Sequence, residues 1–170
     1  MTSKLFSVLI VLSAVLIFAD DSIPFNFELY TLDDRLYSSE DVIAKPDTGM
    51  LVVDFFSIHC EPCKKALPEW EKAYQKYKDK GLRFVVVALP VEEDRDAEFR
   101  KIKEFFDSNK YSFPVVFDKY SITGKKFGIV DKDGSATIPQ IFILDKNGQV
   151  SFKNASHLEI IKKIEPFFCK

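Results

Sequence analysis

An excess of basic charge, internal repeats and abundant cysteine are all missing from this chain, and each lack removes a class of protein. A formal net charge of −2 and a pI near 5.8 leave no basic footprint for nucleic acid. No repeat or low-complexity stretch is present, which excludes a solenoid or an array. Three cysteines in 170 residues are too few for a disulfide-rich framework, and an odd number cannot all pair within the chain. Long hydrophobic runs are also lacking. LFSVLIVLSAVLIFA, residues 5–19, is shorter than the ~20 residues that comfortably span a bilayer. Lys4 precedes that run and Ala19, Asp20 and Asp21 close it, which is the pattern of a secretory signal or, if uncut, of an N-terminal membrane anchor over residues 1–19. In either form the domain, residues 20–170, is expected outside the cytoplasm, where disulfides persist.

What the chain has in quantity is apolar bulk. It is 46% hydrophobic and 14% aromatic, with 17 Phe, enough for one well-buried domain and too short for two. FNFELY (25–30) alternates like a strand, and residues 31–49 read as a polar connector with turns at Asp33-Asp34 and Pro46-Asp47. LVVDFFSI (51–58) is apolar on both faces, as a covered central strand requires. Ala66, Leu67, Trp70, Ala73, Tyr74 and Tyr77 recur at helical spacing from Glu61 to Lys80, and Gly81 ends that helix. LRFVVVALP (82–90) predicts a second buried strand. A helix over about 93–109 follows, with Phe99, Ile102, Phe105 and Phe106 inward, and then a short strand, FPVVF (113–117). IPQIFILD (138–145), Asn147-Gly148 and QVSFKN predict a hairpin. A last helix runs from Ser156 with Leu158, Ile161, Ile164 and Phe168 on one stripe. This order is α/β with a mixed sheet.

Two cysteines stand three apart in SIHCEPCKK (57–65), where the central strand gives way to a helix. Pro62 suits a first helical turn, because its missing N–H would have no intrahelical partner there. A sulfur at that end faces unpaired N–H groups and the positive end of the helix dipole, so the Cys60 thiolate is stabilised. Cys63 lies on the same face, one turn deeper, within bridging reach. An exposed attacking thiol and a shielded resolving thiol are the parts of a disulfide-exchange centre. The competing readings are weaker. A c-type haem site needs His after Cys63, where Lys64 stands, and a structural zinc site needs a fourth ligand beyond His59, Cys60 and Cys63. A structural disulfide closing so small a loop would constrain little of the unfolded chain.

In combination, LVVDFFSIHCEPCKKALP (51–68), TIPQIFILDKNGQV (137–150) and the terminal amphipathic helix resemble the thioredoxin superfamily, specifically the exported TlpA/ResA-like thiol-disulfide oxidoreductases. The resemblance spans the chain beyond residue 19. It implies a thioredoxin fold: a central mixed β-sheet flanked by helices, with an N-terminal strand extension and a central strand-helix insertion at about 90–117. It implies a redox-active Cys60–Cys63 disulfide and a cis Pro139 beside it, so that the Ile138 backbone could pair with an extended substrate segment. It also places Asp54, an acid interrupting a buried strand, beneath Cys63 to manage that thiol's proton. Burial without a partner would raise such a carboxyl's pKa. Pro68 matches the family's helix-kinking proline.

Two positions depart from the pattern. His59 stands where the family has Trp, and could stabilise the Cys60 thiolate or merely be solvated. Ala66 stands where some relatives carry an acid, leaving any such role to Glu61. The substrate-binding set implied is therefore Ile138, Pro139, Glu61, Pro62 and His59, with Cys60, Cys63 and Asp54 catalytic. No metal and no cofactor are expected. The partners implied are protein thiol or disulfide substrates and an electron donor in the membrane, with a role such as cytochrome c maturation. The rival readings are a peroxiredoxin-like peroxidase, with Ser57 three residues before Cys60, and a metal or copper chaperone using His59, Cys60 and Cys63. Cys169 reads as a buried small hydrophobe, with an intermolecular disulfide the alternative, and His157 as a solvated surface residue.

Overall fold

The architecture is that of a computed structural model, which describes residues 25–169; the signal or anchor expected at 1–19 lies outside them. In chain order the elements are β1 (Glu28–Thr31), β2 (Leu36–Ser38), α1 (Ser39–Ile43), β3 (Met50–Phe56), α2 (Glu61–Tyr77), β4 (Leu82–Ala88), α3 (Arg95–Asn109), β5 (Val115–Phe117), α4 (Ile122–Lys126), β6 (Gln140–Leu144), β7 (Val150–Asn154) and α5 (His157–Phe168). The strands form one sheet in the order β2-β1-β5-β4-β3-β6-β7. β3, β4 and β5 run parallel, while β1, β6 and β7 pair antiparallel with their neighbours.

Continuous apolar runs fold as strands covered on both faces, and β3 has all seven residues buried. Successive side chains alternate between faces. Leu51, Val53 and Phe55 enter the core under α1 and the 127–130 segment. Val52 and Phe56 enter the other core, with the apolar faces of α2, α3 and α5. Asp54 shares the face of Val52 and Phe56, so the sheet pleat alone aims its carboxyl at the helix layer that includes α2, whose N-terminal end carries the cysteine pair. Its partners in register, Val86 and Ile141, belong to that same core.

α2 buries Ala66, Leu67, Trp70, Ala73 and Tyr77 on one stripe. Each large side chain of that set stabilises the packing by about 1.5–3 kcal/mol. A single 3-10 turn, Lys78–Lys80, extends the helix to Gly81, whose φ is 101°. A Cβ there would also sit 2.5 Å from the Asp47 carbonyl oxygen, so the stop is restricted to glycine by conformation and by space.

Three expectations are corrected. The connector at 31–49 contains β2 and α1; the Ser38 hydroxyl caps α1 by accepting from Asp41 N, and the Ser39 hydroxyl accepts from Phe27 N at 2.8 Å. The strand expected at 25–30 begins only at Glu28, because Phe25 N donates to the Gly148 carbonyl and Phe27 bonds Ser39 at the start of α1, outside any strand ladder, while both rings pack on Phe127. On α5 the buried stripe is Ile160, Ile164 and Phe168, and Leu158 is exposed, since the helix starts one residue beyond Ser156 and its face is set by packing on α2.

Candidate active site

β3 ends at Phe56, and three residues turn the chain into α2. Ser57 is buried and makes this turn: its carbonyl accepts from Cys60 N at 3.0 Å and its hydroxyl from His59 N at 3.2 Å. Cys60 is the N-cap of α2, and its Sγ accepts from Cys63 N at 3.2 Å. The two cysteines are joined in a disulfide with Cα atoms 5.2 Å apart. Cys63 is only 2% exposed, whereas Cys60 is half-buried at the surface. Glu61 and Pro62 fill the exposed first turn, where Glu61 pairs with Lys64. Pro68, on the exposed side of α2, interrupts the helix's hydrogen bonding without touching its buried stripe.

The Ile138–Pro139 peptide bond, just before β6, is cis. Pro139 and Cys63 line one small cavity of about 260 Å³, together with Pro62, Asp54 and His157. Asp54 is 1% exposed, and its Oδ1 has no hydrogen-bond partner. Burial pushes its carboxyl up to about 8; the nearby Trp70 indole pulls slightly the other way, but neither that N–H nor Oδ1 reaches hydrogen-bonding geometry. A carboxyl that titrates near neutrality beside a buried sulfur can hold a proton and release it in the working range.

His157, read from the sequence as a solvated surface residue, is half-buried at this cavity as the first residue of α5. Burial lowers its pKa, and Glu69 opposes that effect. Its place depends on how α5 packs back across β7, a tertiary fact with no local signal. Cys169 is exposed, not buried, because α5 ends at Phe168; its Sγ lies 3.7 Å from the Tyr77 hydroxyl, which donates to Glu165. It stands apart from the Cys60–Cys63 pair.

His59 is neither free nor turned to the sulfurs through Nε2. That atom lies 3.1 Å from Glu92 Oε1 and 3.6 Å from Glu98 Oε1. Glu98 is fully buried; its Oε2 accepts from the backbone N–H groups of Val91 and Glu92 at 2.8 Å each. Lys101, and after it His59, holds the Glu92 carboxyl below its usual range. These two glutamates went unread in the sequence. Glu98 stands four residues before Ile102 on the inward face of α3, and a charge on a buried face was the available signal.

A profile of the AhpC/TSA family matches residues 20–153, most of the chain. Thiol-disulfide oxidoreductase ResA of Bacillus anthracis is 30% identical over 125 residues, 74% of this chain and 63% of that protein. Sporulation thiol-disulfide oxidoreductase A of Bacillus subtilis is 28% identical over 109 residues, 64% of this chain and 61% of that one. The chain thus spans a little under two thirds of these relatives. Among solved structures, StoA from Bacillus subtilis superposes with a TM-score of 0.64 at 23% identity, covering 84% of this chain and 98% of that one. A thiol:disulfide interchange protein from Bacteroides sp. gives 0.66 at 20% identity, covering 85% and 87%. These neighbours share the thioredoxin fold, whose sheet carries the cysteine pair here at the end of its most buried strand. On the family match across most of its length, the chain belongs to the AhpC/TSA family.

Proposed function

We propose that this protein is a thiol-disulfide oxidoreductase acting on protein substrates outside the cytoplasm. The observation that carries the reading is the asymmetry of the cysteine pair: Cys60 half-buried at a helix N-terminus, Cys63 buried on a cavity shared with Asp54, whose Oδ1 has no hydrogen-bond partner. In the reducing direction the Cys60 thiolate attacks one sulfur of a substrate disulfide, forming a mixed disulfide and expelling one substrate thiolate. Cys63 then gives its proton to ionised Asp54 across the cavity, and its thiolate attacks Cys60 Sγ. The Cys60–Cys63 bond closes and the second substrate thiolate leaves. Two electrons pass from the dithiol to the substrate, whose sulfurs take up two protons. The substrate strand would lie against the Ile138 backbone, held by the adjoining Pro139, with Glu61, Pro62 and His59 rimming the contact.

The names of the relatives support thiol-disulfide exchange; we infer further that the chain acts as a reductant fed by an electron donor in the membrane, with clients such as apocytochromes awaiting haem. The 5–19 run supports export or anchoring. The deciding experiment is a redox titration of the Cys60–Cys63 couple in glutathione or dithiothreitol buffers, alongside a peroxide-consumption assay. A two-electron couple near ~−270 mV fits a reductant, and one near ~−120 mV fits an oxidant. Absence of a reversible couple, or peroxide turnover exceeding disulfide exchange, would overturn the reading. The Ser57 hydroxyl, on which a peroxidase reading leans, is engaged in the turn by the N–H of His59.

A further inference from the structure

Beside the cysteine pair, and taking no part in its electron or proton transfers, three potential ligands converge from three places in the chain. His59 comes from the turn after β3, Glu92 from the loop after β4 and Glu98 from the first turn of α3. Their nearest donor atoms all lie within 4.8 Å of one another. His59 Nε2 is 3.1 Å from Glu92 Oε1 and 3.6 Å from Glu98 Oε1. Atoms bound tetrahedrally to one ion at ~2.0–2.2 Å stand about 3.4 Å apart. The two separations from His59 bracket that spacing, and the two glutamates' donors lie within 4.8 Å of each other, close enough for a small rotation of the part-exposed Glu92 side chain to bring all three onto one ion.

A second observation points the same way. Glu98 is fully buried, and its two oxygens are treated differently. Oε2 is saturated by the N–H groups of Val91 and Glu92, which lock the carboxylate's orientation. Oε1 has no hydrogen-bond partner and faces His59 at a distance beyond hydrogen-bond reach. A buried carboxylate oxygen without a partner is costly, by several kcal/mol if nothing compensates its charge. Two carboxylates and a neutral imidazole carry two negative charges, which a divalent cation neutralises while satisfying Oε1. The His59 side chain is half-exposed, so the cluster can be reached from solvent.

We propose that His59, Glu92 and Glu98 form a binding site for a divalent transition-metal ion of the zinc class. One imidazole and two carboxylates is a borderline donor set that suits Zn²⁺ better than Ca²⁺ or Mg²⁺, which favour all-oxygen cages. The site needs neither sulfur, so it stands independently of the thiol reading and differs from a centre built on His59, Cys60 and Cys63. Lys101 is its built-in competitor. The ammonium lies 2.8 Å from both Glu92 oxygens, but it is on an exposed, flexible stem that can swing away. An ion seated here would tie the loop after β4 to the turn that carries Cys60.

The test is zinc binding by the full chain with the Cys60–Cys63 disulfide intact, when no thiolate is available. Competition against a chromophoric chelator gives the affinity, and Co²⁺ substitution reports the donor set by visible absorption. The expected result is one Zn²⁺ per oxidised chain, with a Co²⁺ spectrum lacking the thiolate charge-transfer band. Loss of an outer-shell partner alone weakens metal sites 10–100-fold, so His59→Ala and Glu98→Gln should each weaken binding by about tenfold or more. Lys101→Ala should tighten it, and the Cys60→Ser/Cys63→Ser double variant should bind as the parent does. His59 is exposed, so its variant decides the matter if Glu98→Gln does not fold. No zinc bound by the oxidised chain, or binding indifferent to His59→Ala, or binding lost with the cysteines, overturns the site.

Discussion

Asp54 and Asp118 are both buried aspartates at strands of the same sheet, each 1% exposed, and burial raises the pKa of both. Their surroundings differ. Asp118, just after β5, accepts from Ile122 N at 3.0 Å and Gly124 N at 2.8 Å, so its carboxylate supplies the cap that the Ser121 side chain does not give to α4. Asp54, in the middle of β3, has an oxygen with no donor and a cavity in front of it. Backbone donors stabilise the charged form and make a carboxylate part of the scaffold. Their absence leaves Asp54 near its own titration point at the working pH, which is a cost to the fold and a means for chemistry.

Replacing each residue should separate those two uses, and the largest effect belongs to Asp54. Asp54→Asn keeps the shape and removes the proton site. Transfer by a positioned base typically contributes 10²–10⁴-fold, so closure of the Cys60–Cys63 bond from a mixed disulfide should slow by about 100-fold in stopped-flow measurements. Formation of the mixed disulfide should change little. In the parent, the closure rate should rise with pH through about 8 as Asp54 ionises; in the variant that step should be replaced by the slower rise that comes as Cys63 loses its proton to solvent. The sign of the stability effect follows from the same shift. The folded chain holds a proton on Asp54 that the unfolded chain releases near its ordinary value of 3.8, so folding stability falls as pH climbs from about 4 to about 8. That loss, on the order of a few kcal/mol, should be absent from denaturant titrations of Asp54→Asn. A variant with the parent's pH profiles would mean the two aspartates do the same job.

Asp118→Ala should do the opposite. Two backbone N–H groups at the start of α4 would lose their acceptor, costing about 2 kcal/mol of stability. The mixed-disulfide closure rate and the reduction potential, measured on the folded fraction, should match the parent. A shift in either would show that the 118–124 turn communicates with the cysteines and is not scaffold alone.

The contrast also bears on what a sequence makes legible. β3, the cysteine pair at its end and Pro139 could be read because each signal is local: an apolar run, a motif spacing and a proline at the start of a strand. Asp54 was visible as a charge breaking that run. β2 and α1 were not, since elements of three and five residues have too little pattern to stand out and are held by Phe27, β1 and two serine side chains. On α5, Ile164 and Phe168 are buried as expected, but Ile160 takes the place given to Ile161, because both satisfy the spacing and only tertiary packing chooses between them. The glutamates facing His59 depend on β4 and the loop beyond it returning beside β3. The sequence places them 33 and 39 residues away, where no local pattern connects them.

His157 offers the finest version of the comparison, since it shares the Asp54 cavity and has no counterpart at Asp118. Burial keeps its imidazole neutral further into acid than usual, and Glu69 resists that tendency. While neutral, it leaves Asp54 free to hold its proton; once protonated, it would stabilise the ionised carboxylate and draw its pKa down. His157→Gln removes that influence while keeping a polar group at the cavity. Burial lowers the His157 pKa from its ordinary 6.5, so the imidazole is already neutral where Asp54 titrates, and the transition near 8 in the closure rate should stay where it is. The difference should appear in acid, where charged His157 favours the ionised carboxylate and the parent should keep more of its closure rate than the variant. Identical rates in acid would mean that the cavity isolates Asp54 from α5, and a displaced transition near 8 would mean that His157 acts on Asp54 other than through its charge.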